Sequence, residues 1–507
     1  MTTLEPRGST LDGLLRRSAR RDPDRVAVHF ADRRWTYREL DDAVSRVSAW
    51  FAARELKPGD RIAAYGRNSD AYLIGFLACA RAGLIHVPVN YALTGDELIH
   101  LLVDSGSTAV LVDPQLLPEV RAVENSIPGV EVVLLRDTAS SLLAAAAAGP
   151  VPKSTPVVPD DELVQLLYTS GTTSKPKAAM MTHRALLHEY LSCLVALDFT
   201  EHDNPLICMP LYHSAGMHVF AMPYLAVGAT VQLLESPDVT EVLRRVETDR
   251  IGSLFLAPTV WATLATHPDL RRRDLSSLRK AQYGASVMPE PVLSRLREQL
   301  PGTGFYNCFG QSEIGPLATV LRPEDHDDRP SSCGRPVLFV EIRVVDPDGR
   351  DVPAGVPGEA VYRSPQLCTG YWNNPTATAD AFDGGWFHSG DLVTQDPQGY
   401  LTVVDRIKDV INTGGVLVSS REVEDAVYHH ESVAEVAVVG LPDPKWIEAV
   451  TAFVVLEPAA EVSETQLLDH TRRQLAPYKV PKRIVFTEEL PRNQSGKILK
   501  RELRRKT

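Results

Sequence analysis

The sequence predicts an α/β protein. It has a large N-terminal domain of layered α/β subdomains, a β-rich subdomain, and a small α+β domain at the C-terminus. Three observations carry this prediction. Short apolar runs alternate with stretches of helical period through the first part of the chain, the pattern of a layered, largely parallel sheet. After Gly334 the apolar residues alternate in short runs between Asp-Pro and Gly-rich turns. Beyond Asp409 helix and strand patterns mix again over about 100 residues, an ordinary domain size. The expected boundaries are 1–407, with the β-rich part at about 334–407, and 408–507.

Taken in order, residues 36–53 place Leu40, Val44, Val47 and Phe51 on one helical face. Thr36 followed by Glu39 makes a capping box at its start. Arg61–Tyr65 reads as a strand, 71–82 as a buried helix ending at Gly83, and 84–89 as a strand. A helix at 94–104 and a strand at 109–112 follow, then a strand at 162–167. The same alternation recurs at 205–209, 230–234, 239–248 and 253–257. Residues 340–345, 359–363 and 400–404 are the short alternating strands of the β-rich part. In the tail, 422–428 and 464–475 read as helices, and 433–439 and 451–456 as strands.

Composition limits the function. Net charge is −12 with pI near 5.7, which argues against a general binder of nucleic acid or anionic membrane, since phosphate contacts need clustered Lys and Arg. The six cysteines, at 79, 193, 208, 308, 333 and 368, form no Cys-x-x-Cys pair, so zinc spacing is absent. Residues 1–10 lack the apolar core of a signal peptide, and the apolar stretch 71–89 is broken by Arg81, His86 and Pro88. A cytoplasmic location with reduced thiols and no transmembrane segment is expected.

One run concentrates chemistry: Tyr168-Thr169-Ser170-Gly171-Thr172-Thr173-Ser174-Lys175-Pro176-Lys177. Hydroxyl donors, two lysines and a permissive glycine suit a polyphosphate. The same residue types also make surface turns. The spacing is not that of a Walker loop, which needs Gly-x-x-x-x-Gly-Lys-Ser/Thr, and no kinase motif set is present. Four further segments stand out: Phe309-Gly310-Gln311-Ser312-Glu313, Trp386-Phe387-His388-Ser389-Gly390-Asp391, Asp405-Arg406-Ile407-Lys408-Asp409 with Thr413-Gly414-Gly415, and Asn493-Gln494-Ser495-Gly496-Lys497.

Together and in this order these motifs resemble the adenylate-forming superfamily of acyl-CoA synthetases, luciferases and peptide-synthetase adenylation domains, over about residues 36–501. The look is nearest to bacterial fatty and medium-chain acyl-CoA synthetases. The resemblance implies ATP, Mg²⁺ and coenzyme A as cofactors, and an aliphatic carboxylic acid, activated as acyl-AMP and then passed to a thiol. It would place the protein in fatty acid metabolism. An enzyme that loads an acyl carrier protein and an aryl-CoA ligase share the same nucleotide motifs, and a non-catalytic nucleotide binder is a further alternative.

The resemblance also implies roles. Thr169, Ser170, Gly171, Thr172, Thr173 and Lys177 would grip pyrophosphate, and Thr172 and Glu313 would hold Mg²⁺. Phe309 would stack on adenine, with Gly310, Gln311 and Ser312 beside it; Gly284, Ala285 and Ser286 would line the adenine and acyl pocket. Asp391 would bind the ribose hydroxyls and Arg406 the ribose or a phosphate. Lys497 would stabilise charge at the α-phosphate, a kind of stabilisation worth several kcal/mol of barrier. His213, in Pro210-Leu211-Tyr212-His213-Ser214-Ala215-Gly216, would gate the acyl carboxylate, and Met217, His218, Met222 and Leu317 suggest an apolar channel. Lys408 would be the hinge of a mobile C-terminal domain, turning Gly414 and Gly415 toward a pantetheine arm. Departures from the family pattern are Ser174, Ala178 and Ile447, each where glycine is frequent, and Ser312, which keeps a hydroxyl where threonine is usual.

Overall fold

The computed structural model describes residues 9–152, 156–169, 176–286, 288–458, 460–492 and 498–505. It is a mixed α/β protein with a large N-terminal and a smaller C-terminal part. It divides into two compact units. The first runs to Pro330 and adds Gly334–Glu341 and Arg363–Phe387; the second comprises Ser331–Cys333, Ile342–Tyr362 and the chain from His388.

In the first unit, the expected helix at 36–53 is Tyr37–Ala52, capped by Thr36 and Glu39 in a full capping box. Helix Asp70–Ala82 ends at Gly83 in the left-handed conformation (φ 73°), and every one of its residues is buried. Such an apolar circumference belongs between layers. The first sheet runs Glu131–Leu134, Ser107–Val112, Arg61–Tyr65, Ile85–Val89, Leu163–Thr169, Lys177–Thr182. Its neighbours are parallel except the last pair, Leu163–Thr169 with Lys177–Thr182, which is antiparallel. Its core gathers Tyr65, Val87, Val110, Leu166 and Ala178.

A nine-stranded sheet forms the second layer of this unit. Its centre, Pro205–Ile207, Ser253–Leu256, Lys280–Gly284 and Gly304–Phe309, is parallel. One end closes with antiparallel Thr319–Leu321 and Arg335–Pro336, the other with the hairpin Val26–Phe30 and Arg33–Thr36. Ligands of open α/β sheets sit beyond the carboxyl ends of such strands, and Gly284 and Phe309 lie at those ends.

The second unit holds two antiparallel-rich sheets. Strands Glu341–Val345, Gly358–Arg363, Phe387–Gln395 and Leu401–Arg406 make the β-rich one. In the other, the long hairpin Val433–Asp443 and Ile447–Leu456 is flanked by Ile411–Thr413 and by Arg483–Phe486. The position expected as a boundary, 407/408, falls inside this unit, in the short turn Ile407–Asp409. No described helix is long and apolar enough to cross a membrane.

Candidate active site

The lysine-rich run joins two antiparallel neighbours. Thr169 ends one strand and pairs with Lys177, which opens the next. Ser170, Gly171, Thr172 and Thr173, with Ser174 and Lys175, lie outside the described residues, as does Lys497. Ala178 pairs with Tyr168 and packs into the core with Leu166, so its methyl is buried rather than turned toward the loop.

Glu313 sits in the short turn Ser312–Ile314 and is 7% exposed. Two hydroxyls converge on one of its oxygens: Thr169 Oγ1 and Tyr371 Oη each donate to Oε1 at 3.1 Å. Among the described residues the other oxygen takes no hydrogen bond. Lys177 Nζ lies 5.2 Å from the centre of the Tyr371 ring. Burial, and then the Glu313 carboxylate, push the Tyr371 hydroxyl well above its ordinary pKa, so it stays a donor at neutral pH. A carboxylate pinned through one oxygen, with a cation and hydroxyls around it, suits a magnesium nucleotide. Mg²⁺ is commonly held by one or two carboxylates plus phosphates and water. No group of three or more His, Cys, Asp or Glu that could hold a metal is found among the described residues, so a dense cage of the structural-metal kind is not what this site offers. Tyr371 was not singled out from the sequence; the only signal was its place in the run Gly370-Tyr371-Trp372.

The backbone around Glu313 is folded back tightly. Gly310 has φ 154°, and a Cβ there would lie 2.0 Å from the Pro316 carbonyl oxygen. The Ala318 amide bonds the Phe309 carbonyl at 2.8 Å to close the fold-back. Phe309 itself is half-buried at its strand's end. At the neighbouring strand end, a Cβ on Gly284 would meet the Cys308 carbonyl oxygen at 2.2 Å. Ala285 follows with φ 64°, and both it and Ser286 are exposed. Strain of this kind concentrates at ligand sites. Ser312 Oγ lies 2.9 Å from Ser214 Oγ, which ties the Glu313 turn to the segment carrying His213. His213 is half-buried in the turn before the helix Ala215–Ala221 and accepts from the Ala215 amide through Nδ1 at 3.3 Å.

The residues expected to mark an apolar channel are buried. Met217, His218, Met222 and Leu317 are 0–2% exposed. His218 is committed to a buried chain: Nε2 lies 2.6 Å from Gln165 Oε1, and Nδ1 lies 2.8 Å from the Tyr190 hydroxyl. Gln165 Nε2 in turn lies 3.0 Å from His86 Nδ1. Burial holds His218 down to about 3, so the ring is neutral and fixes the helix rather than facing an acid.

In the second unit, Asp391 and Arg406 are cross-strand partners joined by an ion pair of 2.6 Å. Arg406 also donates to the Ser389 carbonyl at 3.2 Å. Lys408 is exposed in the turn Ile407–Asp409, and Arg504 donates to Asp409 Oδ1 at 2.8 Å. Gly414 and Gly415 have φ 65° and 87° between Ile411–Thr413 and Val416–Val418. That is a two-residue hairpin needing positive φ twice, which alone accounts for the glycines. Ile447 has φ 65° and is 58% exposed, a left-handed conformation that glycine adopts freely and a β-branched residue only under strain.

Comparison with known proteins places the chain in a family. The AMP-binding enzyme model matches residues 15–372, and its C-terminal domain model residues 422–497. The chain belongs to the AMP-binding enzyme family, within the adenylate-forming superfamily. It is 39% identical to feruloyl-CoA synthase of Amycolatopsis sp over 97% of each chain. It is 34% identical to the medium/long-chain-fatty-acid–CoA ligase FadD8 of Mycobacterium tuberculosis, over 97% of this chain and 89% of that one. Its fold matches ATP-bound MatB from Rhodopseudomonas palustris with TM-score 0.90 and 30% identity, over 98% and 99% of the chains. The protein is an acyl/aryl-CoA ligase that uses ATP and CoA.

Proposed function

We propose that this ligase activates an aromatic carboxylic acid of the arylpropenoic class, forming its acyl-AMP with release of pyrophosphate and then its CoA thioester. The observation that carries the reading is the 39% identity to a feruloyl-CoA synthase along nearly the whole chain. The aliphatic substrate expected from the sequence is the second reading, favoured by the match to FadD8.

The acid's carboxylate attacks the α-phosphorus as the bond to pyrophosphate breaks. The thiol then attacks the acyl carbon and AMP leaves, with the thiol proton passing to solvent. Mg²⁺ neutralises phosphate charge when bound. Glu313 would be the carboxylate that holds it, with Thr172 as the second protein ligand. Thr169 and Tyr371 keep Glu313 turned, and Lys177 with Ser170, Gly171 and Thr173 grips the departing pyrophosphate. Phe309 offers a face to adenine, beside Gly310, Gln311 and Ser312, and Gly284, Ala285 and Ser286 line the adenine and acyl pocket. Asp391 accepts from the ribose hydroxyls, and Arg406 orients it. Lys497 stabilises charge at the α-phosphate. His213 gates the acyl carboxylate. Lys408 is the hinge about which residues 408–507 move between the two half-reactions, with Gly414 and Gly415 beside the thiol arm in the second. The protein acts in the cytoplasm.

The test is a panel of ferulate-like, simple aromatic, medium-chain and long-chain acids. Acid-dependent pyrophosphate release is measured, and the thioester is identified by mass spectrometry with CoA or a carrier protein as acceptor. Arylpropenoic acids should give the highest kcat/KM with CoA. Preference for a fatty acid would restore the aliphatic reading, and turnover with a carrier protein alone would replace CoA as acceptor.

A further inference from the structure

Behind the Glu313 turn lies a pair of buried polar side chains that the reaction does not use directly. Glu189, on helix His183–Ala196, is 0% exposed, and so is Gln366. The turn leaves three backbone groups that no backbone partner takes among the described residues: the Ile314 and Leu317 carbonyls and the Leu317 amide. Gln366 Nε2 donates to the Ile314 and Leu317 carbonyls at 2.9 and 2.8 Å. Glu189 Oε1 accepts from the Leu317 amide at 3.0 Å. The two side chains meet each other, Gln366 Nε2 to Glu189 Oε2 at 2.5 Å. Ser192 Oγ holds the far side of Gln366, donating to Oε1 at 2.9 Å. Glu189 also fills the space where a side chain on residue 315 would stand: a Cβ built on Gly315 would lie 2.9 Å from Oε2.

A buried carboxyl on a helix is costly, and it is tolerated where it satisfies groups that would otherwise be orphaned. Here those groups belong to the residues immediately after Glu313. Two residues beyond this turn's partners, the Cys368 amide donates to the Glu313 carbonyl at 2.8 Å, so the same 366–368 segment grips the turn at both ends.

We infer that Glu189 and Gln366 form one brace that sets the position of the Glu313 carboxylate, which makes both of them positioning residues for the cation step. The inference rests on the proposed role of Glu313, and its test separates the two. Glu189→Ala, Gln366→Ala and the double variant are compared in the full-length protein. Hydrogen–deuterium exchange of residues 312–318, read without substrate, reports the brace itself. Protection there should fall in each single variant. The apparent KM for Mg²⁺ in acid-dependent ATP–pyrophosphate exchange should rise about tenfold in each, as expected for a lost hydrogen bond between buried groups. CoA thioester formation from supplied acyl-AMP should stay within about twofold of wild type. The double variant should be no worse than the poorer single, because partners in one brace are not additive. Effects that multiply in the double variant, or unchanged protection of 312–318, would overturn the brace. Lost protection with an unchanged Mg²⁺ requirement would keep the brace and remove Glu313 from the cation step. Glu189→Gln provides a neutral variant of equal size: it retains an acceptor for the Leu317 amide and should keep more of the 312–318 protection than Glu189→Ala, whereas protection as low as in Glu189→Ala would overturn the brace.

Discussion

Tyr371→Phe deletes one oxygen and little else. Its hydroxyl donates to Glu313 Oε1 at 3.1 Å, the oxygen that Thr169 Oγ1 also reaches at 3.1 Å. A hydrogen bond to a charged group contributes about 1.5–3 kcal/mol. Because Thr169 remains on the same oxygen, the lower figure applies, and about 1.5 kcal/mol corresponds to roughly a tenfold fall in rate. The ring stays in place beside Lys177, so packing is unchanged. Adenylation is assayed by acid-dependent pyrophosphate release across a Mg²⁺ titration, and thioester formation separately from supplied acyl-AMP. The expected result is a roughly tenfold loss in the first and no loss in the second. Wild-type adenylation, or equal loss in both half-reactions, would refute the assignment of Tyr371 to the Glu313 carboxylate.

Three more outcomes are expected. Lys497→Ala should nearly abolish acyl-AMP formation while transfer from supplied acyl-AMP to CoA persists; normal adenylation would remove Lys497 from its proposed role. Ile447→Gly should stabilise the protein by about 1 kcal/mol in denaturant unfolding, because it relieves a left-handed β-branched residue at an exposed position; a lower midpoint would mean that the side chain makes a compensating contact. Burial pushes Glu189 up to about 8 from an ordinary 4.5, against the hydrogen bonds from the Leu317 amide and Cys193. The folded protein therefore keeps a proton that the unfolded chain has released, and stability falls as pH rises between those two values. The unfolding midpoint of Glu189→Gln relative to wild type should climb through that window and level off above it; a pH-independent difference would place the Glu189 pKa near its ordinary value.

The parts of the fold written in local pattern were legible. The periodicity and capping signal around Thr36 and Glu39 gave the helix Tyr37–Ala52, and Gly83 marked the end of Asp70–Ala82. The hairpin Val26–Phe30 and Arg33–Thr36 was missed. Its second strand is Arg-rich, and its first pairs with Val231–Leu233, some two hundred positions away. Glu313 could be read from its motif, but its orientation could not. That depends on Tyr371, which the chain folds back across 58 positions. Glu189 looks in sequence like one charge on a helix; only the donors supplied by Leu317 and Gln366 explain its burial. Ala178, where glycine is frequent, puts its methyl into the sheet core beside Leu166.

On the proposed mechanism Glu313, held by Thr169 and Tyr371, carries the divalent cation of adenylation. Acid-dependent ATP–pyrophosphate exchange by Glu313→Gln, with ATP binding measured in parallel by calorimetry, tests it most directly. Exchange should fall by at least about a hundredfold, as when a principal electrostatic group is removed, while ATP without Mg²⁺ still binds. Exchange at the wild-type rate, with an unchanged dependence on Mg²⁺, would contradict it.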